Sequence, residues 1–309
     1  MQQVQKSLYD AIIVGGSFAG LSAAMGLGRS LFKVLIIDAG ERCNKMVVHS
    51  HNLITHDGSA PGEVAAKAKE QVLKYKTVDF LNGKVVSAVK KDNIFEVVTE
   101  NEEKFTGRKL LFSTGLKDKM LPIPGYAECW GKSVIHCPFC HGYEVAGQSL
   151  GVMLTNGKEA PFVLMIWNLS NNLKIFTNGP STIPPEWAEK FEKKGIPIIE
   201  TELESIEQEE GQMKHVILKD GSRHAIDAFF SKAPVEQHLS APKDLGCTIN
   251  EMGFIQVDDF QKTNVPGVFA AGDCTTMYRA LSVVIAAGTK ASAFMVKELV
   301  EENFAQEWI

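Results

Sequence analysis

YDAIIVGGSFAGLSAAMGLGRSLFKVLIIDAG, residues Tyr9–Gly40, reads as strand, glycine-rich turn, helix and second strand. Ala11–Val14 is an unbroken apolar run of the kind a strand shows when both its faces are buried. Leu21–Leu27 is small and apolar, and Lys33–Ile37 is a second buried run that ends in Asp38. Between the first strand and the helix stands Gly15-Gly16-Ser17-Phe18-Ala19-Gly20. A dinucleotide fingerprint requires this context. Gly15 permits the tight turn, and Gly20 lets the helix pack close to the strand. The helix start then offers backbone N–H groups and a positive dipole end to a pyrophosphate. Asp38, 18 residues after Gly20, is placed to accept from ribose hydroxyls. Ser17 departs from the pattern at the middle glycine. Its Cβ narrows the approach of a phosphate, while its hydroxyl can donate to one.

The remaining bulk properties frame this turn. A chain of 309 residues suits two domains, and 45% hydrophobic with 22% charged residues is ordinary for a globular protein. A net charge of −5 speaks against nucleic acid as a partner. The polar opening MQQVQKSLYD and the lack of an apolar run of membrane-spanning length lead to an expected cytoplasmic location with no membrane partner. In that compartment thiols stay reduced, so a close cysteine pair points to catalysis or metal rather than a structural crosslink. One such pair exists, Cys137 and Cys140 in VIHCPFCHGYE (Val134–Glu144). Alone it supports haem attachment, half a zinc site or a redox dithiol. Cys43, Cys129, Cys247 and Cys274 are scattered singly and do not complete a four-ligand zinc site, so no metal is expected.

Further along, NIFEVVTENEEKFTGRKLLFSTG suggests antiparallel strands returning to the first sheet, and LPIPGY (Leu121–Tyr126) a proline-rich linker. Ser149–Gly179 repeats the strand–turn–helix–strand plan. PPEWAEKFEKKG reads as a short helix with Gly195 past its end, and MKHVILKDGSRHAIDAFF as a hairpin turning at Asp220-Gly221. TNVPGVFAAGDC (Thr263–Cys274) is another buried strand, and Leu281–Asn303 a long amphipathic segment.

GGSFAG, STG (Ser113–Gly115), CPFC and TNVPGVFAAGD, in this order, resemble the low-molecular-weight thioredoxin reductase family of FAD-dependent disulfide oxidoreductases. CHGYE and HNLITHDG (His51–Gly58) look most like its bacterial and fungal reductase-like branch, which includes dithiol oxidases of natural products. The resemblance implies an α/β fold of two Rossmann-like, three-layer domains, the second inserted into the first: 1–116 with 244–309 for FAD, and 117–243 carrying the cysteine pair. It implies a homodimer. It assigns Gly15, Ser17, Ala19, Gly20 and Asp38 to the ADP half of FAD. Val85, Thr114, Gly115 and Gly272 join the cofactor set, with Asn52 near the flavin and Asp273 at the ribityl chain or flavin phosphate. By the same likeness the pair is a redox dithiol facing the flavin: Cys140 exchanges electrons with it and Cys137 engages the substrate. His141 stands where the family carries an aspartate acid–base group, and histidine can move that proton near neutral pH. His136 is left without a catalytic part.

Members of the family that use NADPH carry a second Gly-x-Gly-x-x-Ala turn. Here it reads Thr155-Asn156-Gly157-Lys158-Glu159-Ala160, followed by Pro161. A β-branched Thr155 opposes the tight turn, and Pro161 has no N–H to give. The arginine-bearing run that clamps a 2′-phosphate is replaced by IFTNGPST (Ile175–Thr182), and no arginine lies between Arg108 and Arg223. NADPH use is therefore expected to be weak or absent. The expected partners are a thioredoxin-like protein or a small dithiol or disulfide, with electrons from a ferredoxin-type carrier or passed from substrate to oxygen; a flavin-bearing sensor without turnover is the alternative outside enzymes. Trp308 is a candidate to stack on a flavin.

Overall fold

A computed structural model describes residues 8–306 of the chain, so Trp308 lies outside the described residues. The chain forms two compact units. Among the described residues, the first comprises those up to Lys45, Ala60–Lys117 and those from Val235 onward; the second comprises Met46–Ser59 and Asp118–Pro234. The segment 46–59, which the sequence division left with the first domain, thus groups with the second.

The first unit opens with β1 (Tyr9–Val14), α1 (Phe18–Arg29) and β2 (Val34–Asp38), followed by α2 (Pro61–Val72), β3 (Val78–Asn82), β4 (Val85–Lys91), β5 (Ile94–Thr99) and β6 (Lys104–Phe112). β3, β2, β1 and β6 lie side by side in parallel, and β5 and β4 extend the sheet antiparallel. Because successive side chains of a strand point to opposite faces, the unbroken apolar run of β1 feeds two cores. Ala11 and Ile13 pack with α1 and α2, while Ile12 and Val14 pack on the other face with Val85, Ala88 and Phe95. The result is three layers.

The second unit is entered through β7 (Lys117–Asp118) and α3 (Tyr126–Cys129). Leu121–Tyr126 is not a free linker: Ile123 and Tyr126 are buried, and the Pro124 carbonyl accepts from the Ile206 N–H at 2.8 Å. Next come β8 (Val134–Ile135), α4 (Pro138–His141), β9 (Leu150–Met153), α5 (Ala160–Trp167), β10 (Leu173–Phe176), α6 (Pro185–Lys193), β11 (Ile198–Ile199), β12 (Leu203–Glu209), β13 (Gln212–Leu218), β14 (Arg223–Ala225) and β15 (Ala228–Phe230). β11-β10-β9-β15-β8 is an all-parallel sheet, and β12-β13-β14 a separate antiparallel ribbon. Leu150 and Val152 pack with α5 and α6 on one face; Val134, Phe176 and Phe229 pack with the ribbon on the other. This is the second Rossmann-like domain.

The chain leaves through β16 (Val235–Glu236) and adds α7 (Ala241–Asp244), β17 (Val268–Ala270) and α8 (Leu281–Gln306) to the first unit. β6 is long enough to serve two partners on one edge: Lys104–Gly107 pair with β5, and Leu110–Phe112 with β17. No helix among the described residues is long and apolar enough to cross a membrane.

The far half of α8 is fastened to β6 by charge. Lys109 is buried, and its ammonium reaches Glu298 at 2.8 Å and also Glu302; Arg108 reaches Glu302 at 2.9 Å and Asp10 at 3.2 Å. Burial alone would raise the Glu298 carboxyl, but hydrogen bonds and charge from Lys109 and Lys262 outweigh it and hold it below its ordinary range. Its contribution to stability is complete above the ordinary carboxylate range and is lost as pH falls through the depressed folded-state value. Lys109→Met is expected to cost about 2 kcal/mol at neutral pH, because carboxylates are left less compensated. Urea unfolding should show that deficit shrinking once the pH drops below the carboxylate range.

Candidate active site

The turn after β1 is built by close approach. Gly15 has φ +105°, where only glycine sits without strain, and a Cβ there would lie 2.3 Å from the Ser113 carbonyl oxygen. A Cβ on Gly20 would lie 1.9 Å from the Gly15 carbonyl oxygen, so the helix start presses directly on the strand end. Ser113, just past β6, locks the turn from below: its hydroxyl reaches the carbonyls of Val14 and Gly15 at 3.1 and 2.8 Å. Ser17 is the N-cap residue of α1, yet its side chain makes no capping bond and the first turn holds no acidic residue. The positive end of this 12-residue helix is therefore left for an external anion. The Gly16 N–H donates to Asp38 Oδ1 at 2.9 Å, which fixes the carboxylate at the end of β2 beside the turn.

The other cofactor candidates of this unit stand around that turn. Thr114 has a buried hydroxyl with no hydrogen-bond partner among the described residues, and Gly115 follows at φ +67°. A Cβ on Gly272 would come within 3.0 Å of the Ala19 Cβ, which brings the end of β17 up to α1. Asp273 accepts from Arg279 Nε at 3.2 Å and from the Cys43 thiol at 3.6 Å. Burial of its sulfur, then the Asp273 charge, push the Cys43 thiol up to about 11, although the residue as a whole is exposed. A thiol so raised stays protonated and is a poor nucleophile. Val85 begins β4 opposite Thr99 with its side chain in the core, so only its backbone could meet a ligand. Asn52 belongs to the 46–59 loop of the second unit, at φ +59°, with its N–H donating to Asp57 Oδ1 at 2.7 Å.

In the second unit the chain leaves β8 at His136 and enters α4 with Cys137 as N-cap and Pro138 at the start of the helix. Cys137 and Cys140 are joined as a disulfide, with Cα atoms 5.3 Å apart and the Cys140 N–H 3.1 Å from the Cys137 sulfur. His136 stacks on Trp130, centroids 5.9 Å apart, and Trp130 on Tyr126 at 5.7 Å. His141 ends α4, half-buried; burial lowers its pKa from the ordinary 6.5, a shift Glu144 opposes and His51 adds to. At neutral pH its imidazole is uncharged and free to take up a proton.

The turn after β9 differs from the one after β1. A Cβ on Gly157 would lie 1.9 Å from the Thr182 carbonyl oxygen: the stretch after β10 runs directly over the turn. The Gly157 N–H donates to Thr182 Oγ1 at 2.9 Å, and the Lys158 N–H to Asn156 Oδ1 at 3.1 Å. Glu159 adds a carboxylate in this turn, paired with Lys232 at 3.1 Å, and Pro161 opens α5 without an N–H. The Gly157 and Lys158 N–H groups of this turn are thus engaged within the chain.

Along the chain one open fingerprint turn precedes the disulfide and one closed turn follows it. Residues 9–153 and 170–301 match the family described as pyridine nucleotide-disulphide oxidoreductase. The chain belongs to that family. This pyridine nucleotide-disulphide oxidoreductase is 32% identical to the thioredoxin reductase tcpT of Claviceps purpurea (98% of each chain covered). It is 30% identical to the thioredoxin reductase aclD of Aspergillus oryzae (97% and 99% covered). Among solved structures it is similar to an oxidoreductase from Agrobacterium tumefaciens, with TM-score 0.90, 31% identity, and 95% and 99% of the two chains covered. It is a thioredoxin reductase-like flavoprotein enzyme, and FAD is its cofactor. The open turn, the free end of α1 and the unpartnered Thr114 hydroxyl are a donor set that suits such a group.

Arg279 and Thr182 were not singled out from sequence. Arg279 could have been suspected as the arginine next along the chain from Asp273; nothing in the sequence marks Thr182. Gly20→Ala is expected to drive α1 away from β1 at a cost of about 1–3 kcal/mol and to strip flavin. The ratio of visible to protein absorbance after purification checks this, with a value well under half the parent's expected.

Proposed function

We propose that this enzyme is a dithiol–disulfide oxidoreductase whose reacting pair is Cys137 and Cys140, serving a thioredoxin-like protein and making no efficient use of NADPH. The observation that carries the reading is the Cys137–Cys140 disulfide at the head of α4, with an uncharged His141 closing the same helix. In the reduced pair, Cys137 as a thiolate attacks one sulfur of a substrate disulfide, and the leaving thiolate takes a proton. Cys140 then attacks Cys137 in the mixed disulfide, expelling the second substrate thiol and restoring the intramolecular bond. Two electrons pass from the pair to the substrate; with a substrate dithiol the same steps run in reverse. His141 accepts the proton that Cys140 must lose to attack, and returns it when the pair is reduced. Bound FAD supplies the two-electron couple that recharges or discharges the pair. Gly15, Ser17, Ala19, Gly20, Asp38, Thr114, Gly115, Gly272 and Asp273 would hold it, with the backbone of Val85.

The closed turn at Gly157 supports the statement about NADPH and favours a second reading. If nicotinamide does not deliver electrons, they come from a ferredoxin-type carrier, or the enzyme oxidises a small dithiol and oxygen is the acceptor.

The test is anaerobic. Micromolar NADPH should leave the visible flavin absorbance unchanged over minutes, whereas dithiothreitol should bleach it, and Cys140→Ser should abolish that response. Fast bleaching by NADPH would refute the cofactor statement alone. Unimpaired dithiol bleaching in Cys140→Ser would refute the role of the pair. His141→Asn should slow the dithiol reaction about a hundredfold near neutral pH. In the parent the rate should fall as pH drops through the lowered His141 value, below 6.5.

A further inference from the structure

Beside the disulfide, a loop far away in sequence meets the end of α4, and the chemistry above makes no use of that meeting. Residues 46–59 form a loop braced on itself. Ser50 and Ser59 make an antiparallel bridge, the Gly58 N–H donates to the Ser50 carbonyl at 2.8 Å, and the Asn52 N–H donates to Asp57 Oδ1 at 2.7 Å. From this frame His51 presents both ring nitrogens to carboxylates. Nδ1 is 3.6 Å from Asp57 Oδ1, and Nε2 is 3.3 Å from Glu144 Oε1. Glu144 sits in the turn that follows α4, three residues after His141. His49 stands behind His51, ring centroids 6.4 Å apart, with its Nδ1 3.0 Å from the Gly58 carbonyl oxygen. The charged and titratable groups that act on His141 are Glu144 and His51, with Asp57 and His49 one step further out. The ring thus bridges a carboxylate of its own loop and one from the turn after α4.

We propose that His51 is a positioning residue for the dithiol: from the braced loop it holds the Glu144 carboxylate one turn beyond Cys140, beside His141. This rests on the reading of Cys137 and Cys140 as the reacting pair. Asp57 orients the ring from the loop side, and Glu144 is the negative charge that offsets the burial of His141. A surface staple with no such role would tie the same two segments together and leave the proton chemistry untouched, so the test is made on that chemistry.

The imidazole resonance of His141 is titrated by NMR in the FAD-loaded, oxidised protein. Glu144→Gln should move its midpoint to lower pH. Separately, the rate at which dithiothreitol reduces the Cys137–Cys140 disulfide is followed across pH as a ratio to the parent, which cancels the titration of the reagent. His51→Leu should change that rate about threefold to fivefold, the scale of a partly exposed ion pair. The change should vanish when His51→Leu is made in the Glu144→Gln background. An equal effect of His51→Leu in both backgrounds, or a His141 midpoint unmoved by Glu144→Gln, would overturn the proposal. Should His51→Leu fail to retain flavin, His51→Gln, which keeps a donor for Glu144, is expected to keep the parent's pH profile, and a profile displaced as in Glu144→Gln would count against it. The titration is read at rest and needs no turnover, so it fails separately from the redox reading, which the Cys140→Ser response decides.

Discussion

A single close approach organises the first unit: the start of α1 lies so near the end of β1 that a methyl group on Gly20 would overlap the Gly15 carbonyl oxygen. Everything around it is consistent with that contact. Gly15 turns through a positive φ to allow it, Ser113 braces it from the neighbouring strand, and Ala19 is hemmed in on its other side by Gly272 and Gly288. The helix is thereby aimed with its uncapped positive end at the rim of the parallel sheet, where Asp38 already leans on the Gly16 N–H. A phosphate site made of backbone N–H groups needs this rigidity, because its donors cannot reorient as long side chains can.

The second unit repeats the plan and spends it differently. The sheet is again parallel and again covered on both faces, but the turn after β9 is folded shut beneath Thr182. With Gly157 and Lys158 donating to the chain's own oxygens, a pyrophosphate would have to break those bonds before making its own. The unit retains the dithiol on a short helix, with His141 kept uncharged by burial. One architecture thus carries an open turn in one half and a disulfide beside a closed turn in the other.

Much of this was legible in the amino-acid order because it is local. The turn at Gly15–Gly20, the helix from Pro185 with Gly195 beyond it, and the hairpin at Asp220-Gly221 each carry their signal within a few residues. So does the cysteine spacing, although deciding among haem, zinc and redox required the motifs on either side. The rest is held by pairs remote in sequence. Lys109 finds Glu298 across 189 residues, and Gly157 finds Thr182 across 25. Thr155 and Pro161 hinted that the second turn was poor, but the hydroxyl that closes it gave no sign. The grouping of residues 46–59 with the dithiol unit depends on contacts such as His51 with Glu144, and a lone histidine in a polar loop announces no partner. Leu121–Tyr126 misled for the opposite reason: its prolines and glycine are those of a linker, yet Ile123 and Tyr126 are core residues.

The central claim is that Cys137 and Cys140, and no other cysteines, exchange electrons with the bound cofactor. The chain has six cysteines, four of them free thiols and two in the disulfide. The direct measurement reduces the bound flavin with light under anaerobic conditions, then unfolds and alkylates the protein and maps the adducts by mass. Before reduction four cysteines should be alkylated; after it six, with the two new adducts on Cys137 and Cys140, and the count should stay at four when FAD has been stripped beforehand. Six adducts before reduction, or a count that stays at four in the FAD-loaded protein, would contradict the account.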